Sequence, residues 1–219
     1  MTLRLRLGLR MSFALCLLGI IWPGGIFELP QQGQPVNWAS FRERYDAFLG
    51  YPSSENAKRL MESLPLSKPG PQNGENIDIE ASYIFSNDNY PILEREAWAG
   101  NRCAAETVIR LLNVFDGAYS EQLLATLGYL ARINPKVLLQ ALANNQGNAF
   151  IKAGGCPVLT VEPAYYDRMI ARLHELRMRV SALQGVVDKN LSAVRDECIR
   201  SLRGTIDKFE SLKSPGPSS

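Results

Sequence analysis

MIARLHELRMRVSALQGVVDKNLSAVRDECIRSLRGTIDKFESL, residues 169–212, carries the strongest periodic signal in the chain. Its apolar positions run Met169, Leu173, Leu176, Val180, Leu183, Val187, Leu191, Val194, Cys198, Leu202, Ile206, Phe209 and Leu212. Twelve steps cover 43 residues, a mean of 3.6, which is the period of one face of an α-helix. Thr160, Glu162 and Pro163 supply a helix start upstream, with acid at the positive dipole end. The phase never resets, so the spacing favours one continuous helix over 163–213 rather than a hairpin broken at Gly185–Asn190 (GVVDKN). Such a helix would be roughly 75 Å long. A lobe of the preceding residues, roughly 30–40 Å across, could not cover it. The excess must fold back, pair with another copy or dock on a partner, because a bare apolar ribbon of that length invites aggregation.

Working upstream, the chain reads as short helices separated by clear punctuation. Asn37 caps a helix carrying Trp38, Phe41, Tyr45 and Phe48, and Gly50 stops it. Ala57, Leu60, Met61 and Leu64 form the stripe of a second helix, ended by Pro65. Residues 65–76 (PLSKPGPQNGEN) read as a flexible loop. Residues 77–85 (IDIEASYIF) alternate like a strand, yet no second strand exists to pair with, so a short helix is expected. Pro91 opens the next helix and Gly100 closes it; Asn101 caps a helix with Ala105, Val108, Leu111, Leu112 and Phe115 inward. After Asp116-Gly117, Ser120 is expected to cap a helix striped by Leu123, Leu124, Leu127, Leu130 and Ile133. Asn134-Pro135 starts the last of the series, with Val137, Leu138, Leu139 and Leu142. The fold class is therefore all-α: an irregular stack of antiparallel helix pairs over 37–162, with a long amphipathic C-terminal helix or helical hairpin over 163–213 and a disordered tail at 214–219.

The stretch from Leu93 to Leu142, with AGNRCAAETVIRLLNVFDG and YSEQLLATLGYLARINPKVLLQAL, resembles the HEAT-like helical pairs of exported, uncharacterised bacterial proteins. The marks it shares are helix punctuation rather than chemistry. The resemblance implies stacked pairs and no particular activity. The pairs begin at unequal intervals, which departs from a regular repeat.

The N-terminus is an address. Arg4, Arg6 and Arg10 precede the apolar run 11–22 (MSFALCLLGIIW), and Pro23-Gly24-Gly25 breaks it. A basic flank, a short apolar run and a breaker make residues 1–25 an export signal. Uncleaved, residues 11–29 would anchor the chain in the inner membrane, with the arginines inside and 26–36 as a spacer outside. Either way the remainder is expected to be periplasmic or secreted. Those three arginines also account for the net charge of +2; beyond Gly25 there are 21 basic against 22 acidic residues. That balance excludes a strongly basic nucleic-acid surface.

Outside the leader, three cysteines remain: Cys103, Cys156 and Cys198. One disulfide and one leftover thiol is the simplest arithmetic in an oxidising compartment. Cys156 follows a Gly-Gly turn and can reach a partner, so Cys156–Cys198 is the expected pair, with Cys103–Cys156 as the alternative. Cys103 lies in the first turn of its helix, where the dipole would favour a thiolate. Neither a CxxC nor a neighbouring base accompanies it, so a buried inert thiol is the simpler reading.

Catalytic signals are sparse. His174-Glu175 begins like HExxH, but Met178 holds the fifth position and His174 is the sole histidine. Asn87-Asp88-Asn89 lacks the glycine and distant glutamate of a calcium loop and reads as a turn. Glu94, Glu96, Glu106 and Asp116 offer carboxylates, but Glu94 and Glu96 project to different sides of a helix. No cofactor or metal site is expected. The sequence points to a binding or structural protein rather than an enzyme, whose partner is another protein or a second copy. Leu173, Leu176, Val180, Leu183, Val187, Leu191 and Val194 form the expected interaction stripe. Two other functions stand as alternatives: a hydrolase using carboxylates or Cys103, and a carrier with an apolar cavity for a small ligand or lipid.

Overall fold

A computed structural model describes Gly33, residues 35–71 and 74–148, Ile151, Cys156 and residues 168–211. The expected export signal 1–25, most of the expected spacer 26–36, the expected helix start near Pro163 and the expected tail 214–219 lie outside the described residues.

Among the described residues there are nine α-helices and no strand: α1 (Trp38–Gly50), α2 (Ser54–Glu62), α3 (Gly74–Ile84), α4 (Tyr90–Trp98), α5 (Arg102–Leu111), α6 (Gly117–Ile133), α7 (Pro135–Asn144), α8 (Met169–Gln184) and α9 (Ser192–Ser211). Local chemistry sets the boundaries. Asn37 Oδ1 accepts the Ser40 amide at 3.1 Å, Ser53 Oγ accepts that of Asn56 at 3.2 Å, and Asn101 Oδ1 accepts that of Ala104 at 3.3 Å. Each satisfies an amide that the first helical turn leaves without a partner. Gly100 stands at φ 102°, a conformation other residues rarely adopt, and so separates α4 from α5.

Three expectations need correction. Ser120 does not cap α6: the helix begins at Gly117, and the Ser120 hydroxyl donates to the Gly117 carbonyl at 2.8 Å. The loop expected at 65–76 gives way to α3 at Gly74, and its first residues are tethered, since Asn113 Nδ2 donates to the Leu66 carbonyl at 3.0 Å. Ile133, expected in the α6 stripe, is 42% exposed at the helix end.

The continuous C-terminal helix is the largest correction. The chain turns after Gln184, passes through a 3-10 turn at Lys189–Leu191 and returns as α9, which packs against α8. Asp188 caps the return, its Oδ1 accepting the Asn190 amide at 3.0 Å. The seven residues between α8 and α9 equal about two helical turns. The apolar period therefore runs through the bend without slipping, and Leu183 and Leu191 stay buried on either side of it.

Helices pack in an orderly succession. The second members α2, α5, α7 and α9 contact one another in chain order, as do the first members α4, α6 and α8. Within each pair α1 meets α2, α4 meets α5, α6 meets α7 and α8 meets α9. Helix α5 sits at the centre, touching α2, α4, α6 and α7, and seven of its ten residues are buried. An aromatic cluster (Trp38, Phe41, Tyr45, Phe85, Tyr90 and Phe115 among its members) fills the space where α1 and α3 approach α4 and α5.

Candidate interaction surface

The C-terminal apolar stripe was the expected surface, and its residues turn inward. Leu173, Leu176, Val180, Leu183 and Leu191 are buried and Val194 is half-buried, against α6, α7 and the opposite arm of the hairpin. Each buried leucine contributes roughly 1.5–3 kcal/mol to keeping the hairpin closed. Val187 departs from the set: it sits on the bend and is 85% exposed. The chain thus covers its own ribbon.

Polar contacts lock the hairpin to the lobe. Glu175 is buried between two arginines, with Arg132 Nη1 of α6 at 2.9 Å and Arg179 Nε at 3.1 Å. Arg179 is itself fully buried. Through Arg132 and Glu175 this buried charge cluster couples α8 to α6. Lys136 Nζ approaches Asp188 Oδ2 at 3.8 Å and ties the start of α7 to the bend. Cys156 and Cys198 lie at disulfide distance, sulfur to sulfur 2.09 Å and Cα to Cα 4.8 Å. This bond fastens the connection between α7 and α8 to the middle of α9.

Of the residues weighed for catalysis, Glu106 is engaged in holding helices together. The carboxylate of Glu106 is buried, accepts from Asn144 Nδ2 at 2.8 Å and from Asn145 Nδ2 at 3.4 Å, and pairs with Arg102 at 3.2 Å. One turn on, Arg110 reaches Asn145 Oδ1 at 3.1 Å and the Met61 and Leu64 carbonyls at 2.9 Å each. Asn148 Nδ2 donates to the Ile109 carbonyl at 2.8 Å. Together these groups bind α2, α5 and α7 into one body. Sequence reasoning missed Arg110, Asn113, Asn145 and Asn148. The available signal was Glu106, Arg110 and Asn113 recurring at helical spacing beside an apolar face.

Glu94 Oε1 accepts from Thr126 Oγ1 at 2.8 Å, and the Tyr90 hydroxyl lies 2.7 Å from the same oxygen of Thr126. Burial pushes the Tyr90 phenol far above its usual range, so it stays protonated. Cys103 is half-buried, and its thiol is pushed up by burial and then by the nearby Glu106 charge. The dipole effect that would favour a thiolate is overcome. Glu96 is half-buried, Asp116 is exposed and His174 is exposed on α8. Asn89 Nδ2 donates to the Tyr83 carbonyl at 2.8 Å, making 87–89 a hydrogen-bonded turn. Among the described residues no three His, Cys, Asp or Glu side chains converge as a metal site.

What faces outward is α9. Asp196, Arg200, Arg203, Asp207 and Glu210 are all exposed, and a shallow groove of about 700 Å³ runs beside them over Ile199 and Gly204. Arg195 closes its inner edge, donating to the Val186 carbonyl at 2.8 Å. A second, open hollow of about 450 Å³ lies by the disulfide, against Leu142, Ile151, Ala193 and Val194. No family model, curated protein or solved structure matches the chain.

Proposed function

We propose that this protein is an exported, all-helical binding and structural protein that works through the outer surface of its C-terminal hairpin. The observation carrying the reading is the contrast in how charge is used. Carboxylates and amides inside the stack, Glu106 with Asn144 and Asn145 above all, are engaged in holding helices together. On α9, Asp196, Arg200, Arg203, Asp207 and Glu210 are exposed instead. Export draws support from the basic, apolar and Gly-Pro pattern of residues 1–25 and from the Cys156–Cys198 pair, which an oxidising compartment maintains. Retention through residues 11–29 would keep the same lobe on the outer side of the inner membrane.

Photo-cross-linking from position 203 in intact cells tests this reading. The expected result is a discrete adduct with a protein of the outer compartment, or with a second copy. An adduct only with cytoplasmic proteins, or none, would contradict it. The hollow by the disulfide favours a second reading, a carrier of a small apolar molecule, because ligand pockets begin at roughly 300 Å³. A saturable ligand whose binding is lost in Val194→Arg would support that reading.

A further inference from the structure

We propose that the outer face of α9 pairs, antiparallel, with the same face of a second copy of this chain. The inference rests on the binding reading above and gives that reading a partner. Asp196, Arg200, Arg203, Asp207 and Glu210 recur at intervals of four, three, four and three along α9. That is the spacing of a seam between two helices, here built from charge. Their signs read minus, plus, plus, minus, minus. Laid end for end about an axis near Thr205, Arg203 falls opposite Asp207 of the second copy and Arg200 opposite Glu210. Two-fold symmetry repeats both pairs, giving four ion pairs across the seam. In the parallel arrangement each arginine would face its own copy and each acid likewise, so the sign order selects one orientation.

Three further observations fit. Arg203 and Asp207, the inner members of the seam, enter no ion pair among the described residues, although they stand four apart on one helix. Their order, cation before acid, is the less favourable one for pairing within a helix. The outer members are held only by exposed partners, Arg200 by Glu197 and Glu210 by Arg177, and such contacts exchange at little cost. Gly204 flanks the seam with nothing within 4 Å of where a Cβ would stand, and the groove beside it runs over Ile199. A facing helix can therefore come close. The four pairs lie between residues 200 and 210, about 15 Å along a helix of about 30 Å.

Exposed ion pairs set register and orientation more than affinity, so the dimer should be weak and sensitive to salt. Sedimentation of the full chain should show monomer and dimer at low salt, with dissociation increasing about tenfold or more at high salt. R200E/R203E makes the four pairing positions, 200, 203, 207 and 210, wholly acidic, and D207K/E210K makes the same four wholly basic. Each variant alone should be monomeric, and the two mixed should form a one-to-one heterodimer. The exchange R203D/D207R keeps the seam complementary and should dimerise like the parent. A parent that stays monomeric at every concentration would overturn the proposal, as would single-sign variants that still self-associate. A protein cross-linked at position 203 in a chain that never dimerises would leave the binding reading standing and remove this one.

Discussion

Helices α5 and α9 are both amphipathic, and both carry arginines and acids, yet they use charge in opposite ways. In α5, Glu106 is buried and Arg110 half-buried, each answered by asparagines or carbonyls from neighbouring helices. In α9 Arg195 turns in to the Val186 carbonyl, while Asp196, Arg200, Arg203, Asp207 and Glu210 remain exposed. The difference follows from position. Helix α5 is surrounded by α2, α4, α6 and α7, so polar side chains on any of its faces must find partners inside. Helix α9 is the last described helix, and among the described residues no helix covers its side bearing Arg200 and Arg203. Interior charge specifies how helices sit; exterior charge is available to a partner.

The comparison can be broken most sharply in its interior half. Glu106→Leu removes the charged acceptor of Asn144 Nδ2, leaves Asn145 Nδ2 with the Ala141 carbonyl alone and takes the paired carboxylate from Arg102. Losing two hydrogen bonds to a charged group should cost about 3–5 kcal/mol in urea unfolding. Asp207→Asn on α9 should leave the unfolding curve where it was. Equal losses in the two variants would mean that the contrast between the helices is not real.

Next in size is the bond that ties α9 to the segment after α7. Cys156 and Cys198 are 42 residues apart, and loop entropy alone assigns their link at most about 4 kcal/mol. Cys198→Ser should lower stability towards that amount under oxidising conditions and change nothing in reductant. Cys103→Ser should change little in either. Iodoacetamide should modify Cys103 only slowly at neutral pH, because burial and Glu106 both hold its thiol above the ordinary range. The smallest effect belongs to Gly204. Its surroundings are open, so Gly204→Ala should raise stability by about 0.5–1 kcal/mol in the same unfolding assay. A loss there would show that α9 is held in a conformation other than the one described.

Much of the architecture was legible because helix punctuation is local. Asn37, Asn101 and Gly100 act within a turn of where they stand, so residue type and spacing suffice to place them. The 77–85 segment was read as helix from a negative argument, the lack of a pairing strand, and α3 occupies it. The bend after Gln184 was placed by GVVDKN as the hairpin alternative, but the choice between hairpin and rod went the wrong way for a physical reason. A fold-back of about two turns preserves helical phase, and periodicity alone cannot tell it from a straight rod. The same blindness made the stripe through Leu176 look like a docking surface when the chain's own helices cover it. The Glu106 and Arg110 braces were hidden because their partners, Asn144 and Asn145, lie more than thirty residues away. Sequence order gave no reason to join them. The α9 seam was visible as letters but not as a surface until the hairpin showed which side of the helix faces out.

The account depends on that hairpin, since only a folded-back α9 turns its apolar side in and its charged side out. Spin labels at positions 177 and 210, in a spin-diluted sample that suppresses signals between copies, measure it directly by pulsed dipolar spectroscopy. In the hairpin these positions are salt-bridge neighbours, and the labels should fall at the short end of the accessible range. In an unbroken helix they would stand about 50 Å apart, and a distribution centred there would contradict the account.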